Sequence, residues 1–245
     1  MQTKKPSNSE KMNISSDGLM IPPELKQLKN PPRAVSAFKK ALCDLLVHTS
    51  FENITLKMIV EKSTYSYTSF YSYFRDKYDL LEKMLDDEIT AYMEILTATQ
   101  ELLKTEGDTR IANLSDPRTM YRTVTFYKDY YYFKRIYDNR YIYHALFKCN
   151  IIPLIHHEFC KRMTKRLTME VAPFNVLEEM DFSRMKVSRK ELEQYLFFVE
   201  PAITCESIIF WMRNNFSYTP YQMAQMRFAI SFANMPVHWM CKDES

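Results

Sequence analysis

From Arg33 onward the apolar residues fall at helical spacing: Val35, Phe38, Leu42, Leu45 and Leu46 form a single stripe. The pattern predicts a first helix over residues 33–49, entered through Pro31-Pro32, because proline is tolerated in a first turn. Phe51-Glu52-Asn53-Ile54 reads as a short connection. Thr55 then supplies an N-cap, with Ile54 before it placed to pack back on the new helix as a staple. A short second helix over 56–62 buries Ile59. Ser63-Thr64-Tyr65 makes a turn, Ser66 is another N-cap, and a third helix over 67–73 buries Phe70 and Phe74 at i, i+4. Asp76-Lys77-Tyr78-Asp79 opens a long fourth helix that runs through Leu80, Leu81, Met84, Leu85, Ile89 and Met93.

A longer buttress followed by two short helices about a tight turn is the helix-turn-helix arrangement. The third helix buries one edge and leaves Tyr67, Thr68, Ser69, Tyr71, Ser72 and Tyr73 on the other. Burying the hydroxyls between Tyr65 and Ser72 would demand a partner for each, at roughly 1–3 kcal/mol for every one left unpaired. Exposure is the cheaper arrangement. Exposed hydroxyls bond phosphates or base edges, and the rings pack on thymine methyls.

Past Met93 the periodicity continues without a comparable motif. Asp116-Pro117 begins a helix carrying Tyr121, Val124, Tyr127 and Tyr131, and residues 126–133 are dense in aromatics. Tyr127 and Tyr131 are candidates for lining a pocket for a small apolar or aromatic effector, against the alternative that they pack helices. A helix over 141–169 is interrupted near Pro153; residues 172–183 read as a long loop; helices follow over 188–215 and 221–234.

Composition narrows the class. Two glycines in 245 residues argue against phosphate-binding loops, nucleophile elbows and tight hairpins, which leaves an all-α fold. Neither paired catalytic carboxylates, a Ser/His/Asp set nor an HExxH motif has supporting context, so an enzyme is not expected. No cofactor is expected either. Cys43, Cys149, Cys160, Cys205 and Cys241 form no CxxC pair and read as reduced, mostly buried thiols. His156 and Cys160 share a helical face, yet no further ligand completes a metal site. The polar start and the lack of an apolar run near the roughly 18 residues of a bilayer span predict a soluble, cytoplasmic protein without a membrane partner. Residues 1–77 hold 12 Lys and Arg against 7 Asp and Glu, whereas the remainder holds 21 against 23. The basic excess is therefore local, and either suits a polyanion partner or is solvated surface charge. Residues 1–30 read as a flexible tail whose Lys4, Lys5, Lys11, Lys26 and Lys29 add non-specific affinity or stand idle.

The stretches Phe51-Glu52-Asn53-Ile54-Thr55-Leu56-Lys57-Met58-Ile59-Val60 and Ser66-Tyr67-Thr68-Ser69-Phe70-Tyr71-Ser72-Tyr73-Phe74-Arg75-Asp76-Lys77-Tyr78-Asp79-Leu80-Leu81 resemble the TetR family of bacterial regulators. The family usually has Ala-Gly in the turn where this chain has Ser63-Thr64, so Thr64 falls at a position that glycine adopts more cheaply. The resemblance implies a helix-turn-helix DNA-binding domain over 31–77, followed by a larger helical effector-binding and dimerisation domain over 78–245. It implies that Thr55 caps the second helix and touches a phosphate, and that Lys57 points to the major-groove edge. Tyr67, Thr68 and Tyr71 would face bases, Ser69 and Ser72 bases or backbone, and Tyr73 and Lys77 phosphates. A homodimer on a palindromic double-stranded operator would pair the last two long helices through faces holding Tyr195, Phe198, Ile203, Phe210, Trp211, Met226 and Ile230. The mode implied is repression released by a small-molecule effector. Residues 211–220 also resemble a subgroup that includes a dihydroxyacetone-kinase operon regulator, in which the signal can come from a protein co-regulator instead.

Overall fold

Helix α1 (Arg33–Leu46) starts on Pro32, whose carbonyl accepts from the Ser36 N–H at 3.1 Å, so the proline contributes an acceptor where its missing N–H costs nothing. The computed structural model describes residues 32–105, 117–148, 152–170 and 187–232. Among them the chain forms nine α-helices and no strand. After α1 and a 3-10 turn (Phe51–Asn53) come α2 (Leu56–Ser63), α3 (Tyr67–Tyr71), α4 (Lys77–Thr105) and α5 (Pro117–Asp138). The remainder comprises α6 (Arg140–Lys148), α7 (Ile152–Glu170), α8 (Arg189–Arg213) and α9 (Pro220–Phe232). The basic tail, the long loop at 172–183, Cys149, Cys241 and the side chains of Tyr121 and Val124 lie outside the described residues.

Helix α1 packs on α2, α3 and the start of α4, and also on α6. α4 lies against α5 and α7, α5 against α9, and α7 against α8. The buried side chains of the first four helices continue without a break into those of the remaining five. A charged tie reinforces this junction: Lys39 on α1 pairs with Asp87 on α4.

The ends of α8 show how local sequence sets its limits. Ser188 and Glu191 form a reciprocal capping box, the side chain of each meeting the other's backbone N–H. At the far end Asn215 and Phe216 take left-handed φ values of 52° and 53°. The Asn215 N–H donates to the Met212 carbonyl at 2.8 Å and the Phe216 N–H to the Trp211 carbonyl at 3.0 Å, a Schellman closure. The Phe216 ring meets Trp211 edge-on at 5.3 Å, the apolar contact that accompanies this closure. By length and composition α8 is apolar enough to cross a membrane, a window the sequence reading did not count. Its apolarity has a different use here, because Phe197, Cys205, Ile208, Ile209 and Trp211 are in the core and Glu200 is ion-paired within the body.

Two polar networks run through the helical body. Glu88 on α4 receives a bidentate pair from Arg135 on α5 (3.1 and 3.3 Å) and the hydroxyl proton of Tyr143 on α6. In the other, Lys128 on α5 donates to Glu200 (2.8 Å) and Tyr92 Oη (3.0 Å) and faces Asp129 at 3.2 Å, while Arg227 on α9 donates to Glu200. Burial pushes the Glu200 carboxyl up, but the Lys128 and Arg227 cations outweigh it and hold it well below the ordinary carboxylate range. For the Asp129 carboxyl burial wins over the same two cations and its pKa is raised. Asp129 Oδ2 and Tyr132 Oη are buried without a hydrogen-bond partner among the described residues. Among the thiols, Cys43 and Cys205 are buried and Cys160 half-buried; burial raises Cys43 to about 12 and Cys160 to about 11, which disfavours their thiolate forms.

Candidate nucleic-acid interface

The α2–α3 corner is fixed by three local devices. Thr55 Oγ1 accepts from the Met58 N–H at 3.2 Å, and Ser66 Oγ accepts from the Ser69 N–H at 3.1 Å, so each short helix carries its own N-cap. Between them Thr64 stands in the left-handed region (φ 65°, ψ 13°), the turn position where glycine costs less. Ser63 steadies that turn: its hydroxyl donates to the Val60 carbonyl (2.9 Å) and accepts from the Tyr65 N–H (3.3 Å). A β-branched residue is thus held at positive φ by hydrogen bonds on either side of it.

Helix α3 ends at Tyr71, shorter than the sequence pattern suggests. Even so, the Tyr73 and Phe74 N–H groups both still donate to the Phe70 carbonyl, so the winding carries Phe74 into the core. Phe70 and Phe74 meet Phe38 edge-on, with centroids 5.1 and 6.2 Å away. This aromatic wedge seats α3 on α1 and turns its other edge outward. Tyr67, Thr68, Tyr71, Ser72 and Tyr73 are exposed and Ser69 half-buried; Tyr71 is 59% exposed, which is high for so large a ring. The Ser72 hydroxyl donates to the Thr68 carbonyl at 2.9 Å, leaving it only acceptor capacity toward a ligand. Thr55 and Lys57 are exposed on α2, where Lys57 faces Glu61 at 3.8 Å.

Lys77 requires a correction. Its ammonium donates to the carbonyls of Phe51 (2.8 Å), Glu52 (3.0 Å) and Ile54 (2.8 Å) and sits 4.8 Å over the Phe51 ring. An ammonium has three protons, and all three are committed to the α1–α2 connection. Lys77 therefore ties the start of α4 to that connection and is not free to clamp a phosphate. Asp76 caps α4, accepting from the Tyr78 and Asp79 N–H groups at 2.8 and 2.9 Å. The cation left exposed beyond the tyrosines is Arg75, paired with Asp79 at 3.2 Å and missed in reading the sequence. Its position directly after the aromatic run was the available signal.

The residues expected at a dimer interface divide. Tyr195, Phe198 and Phe210 on α8 and Ile230 on α9 are exposed apolar side chains, Phe198 at 71%. Ile203 is half-buried, and Met226 is half-buried against the core. Trp211 is a second correction: it is fully buried, its Nε1–H donates to the Tyr218 carbonyl (3.0 Å), and it stacks with Tyr137. A side chain with no accessible surface cannot meet a second copy, so the tryptophan belongs to the core and to the α8 closure. Tyr127 and Tyr131 stack on each other at 6.4 Å, the first half-buried and the second buried. Among the described residues no cluster of His, Cys, Asp and Glu could hold a metal ion; His156 contacts Cys160 (3.8 Å) and Glu206 (3.3 Å) and nothing completes the set.

Among the described residues the chain is all-helical, with a capped helix-turn-helix corner seated on a larger helical body. Solved structures share this fold. A chain described as a TetR-family transcriptional regulator from Syntrophomonas wolfei superposes with a TM-score of 0.52 at 12% identity, over 83% of this chain and 97% of that one. The fatty acid degradation regulator FadR from Bacillus halodurans gives 0.51 at 9% identity, over 84% and 98%. No family model and no curated protein sequence matches the chain.

Proposed function

We propose that the chain is a helix-turn-helix transcriptional regulator that binds double-stranded DNA as a homodimer. One observation carries this reading: a doubly capped α2–α3 corner presents Tyr67, Thr68, Tyr71 and Tyr73 outward from an otherwise buried aromatic wedge. Two copies on a roughly palindromic site supply the specificity that one short helix lacks. The α8 face with Tyr195, Phe198 and Phe210, joined by Ile230 on α9, is the surface proposed to pair with its symmetry mate. In this division of labour residues 31–77 read DNA, while 78–245 dimerise and receive the signal. Thr55, Tyr73 and Arg75 contact the backbone, Lys57 points to the major-groove edge, and Tyr67, Thr68 and Tyr71 contact the bases, with Ser69 and Ser72 beside them. The mode proposed is repression relieved by a small apolar or aromatic effector. The aromatic density about half-buried Tyr127 supports it, as does the packing of α6 on α1, which links the body to the DNA-reading corner.

Gel-shift titration over a salt series tests the proposal. Binding falls steeply with salt if phosphates are neutralised, and Tyr71→Ala is expected to lose discrimination between operator and random duplex while keeping its fold. A Tyr71→Ala protein with unchanged specificity, or binding indifferent to salt, sinks it.

A further inference from the structure

Resting on the DNA-binding reading, we infer that this corner selects A·T-rich half-sites by packing tyrosine rings and a threonine methyl against thymine methyls. From Ser63 to Phe74 the chain holds no charged and no amide side chain. Guanine is read best by a forked or paired donor from Arg or Lys on O6 and N7, and adenine by Asn or Gln on N6 and N7. The exposed edge of α3 has neither. What it offers is ring surface from Tyr67 and Tyr71, 46% and 59% exposed and one helical turn apart, with Thr68 beside them. Hydroxyls bond to any base and discriminate little, whereas the C5-methyl of thymine is the apolar feature that distinguishes one base in the major groove.

The neighbouring cations lie off the exposed edge of α3. Lys57 on α2 faces Glu61 at 3.8 Å, and Arg75 lies beyond Phe74 beside Asp79. Lys77 has its three protons on the carbonyls of Phe51, Glu52 and Ile54. Removing exposed aromatic surface from water favours the contact.

The experiment selects bound sequences from random duplexes with the full-length protein, then rebuilds the best site with deoxyuridine for thymidine, which deletes only the methyl. Half-sites rich in thymine are expected, with affinity falling about fourfold per methyl removed, the worth of one buried carbon. The Tyr71→Ala protein, shown folded by circular dichroism, is expected to lose sensitivity at one thymine. Tyr71→Phe, which keeps the ring, is expected to retain it. Selected sites centred on G·C whose binding drops with 7-deazaguanine overturn the inference while leaving DNA binding intact. Indifference of the selected site to methyl removal overturns it equally. Failure to bind any duplex in a salt-dependent way removes the DNA-binding reading itself, and this inference with it.

Discussion

Residues 65–74 and 126–133 look alike as sequence: each is a dense run of tyrosine and phenylalanine, and each sits on or beside a helix. Their fates are opposite. In the first run Tyr67, Tyr71 and Tyr73 stand in solvent. In the second, Tyr130, Tyr131 and Tyr132 are buried, and Lys128 and Asp129 are buried with them. The companions decide the outcome. The first run is interleaved with Ser66, Thr68, Ser69 and Ser72, short hydroxyl residues that cap and wind a five-residue helix and give a core little volume. The second carries one cation and one anion, which enter the interior because Glu200, Arg227 and Tyr92 on other helices are there to meet them. A tyrosine run is thus neutral about burial, and the polar residues between the rings choose.

The largest effect that bears on this contrast comes from breaking the buried network. Lys128→Met keeps the stem and removes the charge, leaving Asp129 without the cation beside it and Glu200 with Arg227 alone. A loss of about 3–5 kcal/mol is expected, as for other buried pairs deprived of one partner, lowering the thermal midpoint by roughly 10 °C for a chain of this size. A variant that melts with the wild type would mean the second run is buried without help from its charges, and the contrast would lose its cause.

Acid titration probes the same network with a sign that can be worked out. Burial raises the Glu200 carboxyl, Lys128 and Arg227 lower it by more, and the folded value lies below the ordinary 4.5. Its stabilising contribution is therefore complete above about pH 4.5 and is lost as pH falls through the folded value. Asp129 runs the other way: its raised carboxyl favours the fold below the ordinary 3.8 and loses that contribution as pH rises through its folded value. Glu200→Gln is expected to destabilise by about 2–3 kcal/mol at neutral pH, less than a fully enclosed pair because the carboxylate is partly exposed. The gap to wild type should close on acidification below pH 4.5 in parallel melts. A constant gap down to pH 3 would show that Glu200 is not held ionised by its neighbours.

The exposed run has its own lysine, and Lys77→Ala measures how far the corner depends on it. Three carbonyls of the α1–α2 connection lose a charged donor, but they lie near water and can be rehydrated. We expect about 1.5–2.5 kcal/mol of destabilisation, seen as a lower denaturant midpoint, together with a salt slope of DNA binding that stays within error of wild type. A slope reduced by one, with stability unchanged, would restore Lys77 to a phosphate-contacting role.

How much could be read in advance follows the range of the forces. The four N-terminal helices were legible because their signals are local: the Val35-to-Leu46 stripe, the caps at Thr55 and Ser66, and the i, i+4 pair Phe70 and Phe74. Even the cost at Thr64 could be anticipated from one turn position. The ends of α1 and α3 were read too long, since the closing turns after Leu46 and Tyr71 continue the winding without continuing the helix. What stayed hidden depends on distant partners. Lys77 reaches back 26 residues to Phe51, and Lys128 reaches forward 72 to Glu200. Trp211 was misplaced for a related reason: α8 is apolar on two faces, and only the Schellman closure and the Tyr218 carbonyl decide which face the indole takes.

The smallest expected effect is the sharpest test of the contrast, because it compares one oxygen atom in each run. Tyr132 is buried and its hydroxyl has no hydrogen-bond partner among the described residues, so the fold carries the desolvation of that group uncompensated. Tyr132→Phe removes the oxygen and keeps the ring that meets Tyr92 edge-on at 4.9 Å. A gain of about 1 kcal/mol is expected, read as a higher urea midpoint at unchanged slope. Tyr71→Phe removes the same atom from a solvated ring, where it is expected to change stability by less than about 0.5 kcal/mol. The pair of values separates two accounts of the molecule. If Tyr132→Phe is stabilising and Tyr71→Phe neutral, the second run tolerates a wasted hydroxyl because its rings are needed for packing, while the first keeps its hydroxyls for something outside the fold. If Tyr132→Phe instead destabilises, its hydroxyl has a partner after all. The two runs would then obey one rule, that every tyrosine oxygen is satisfied, and exposure of α3 would no longer set it apart.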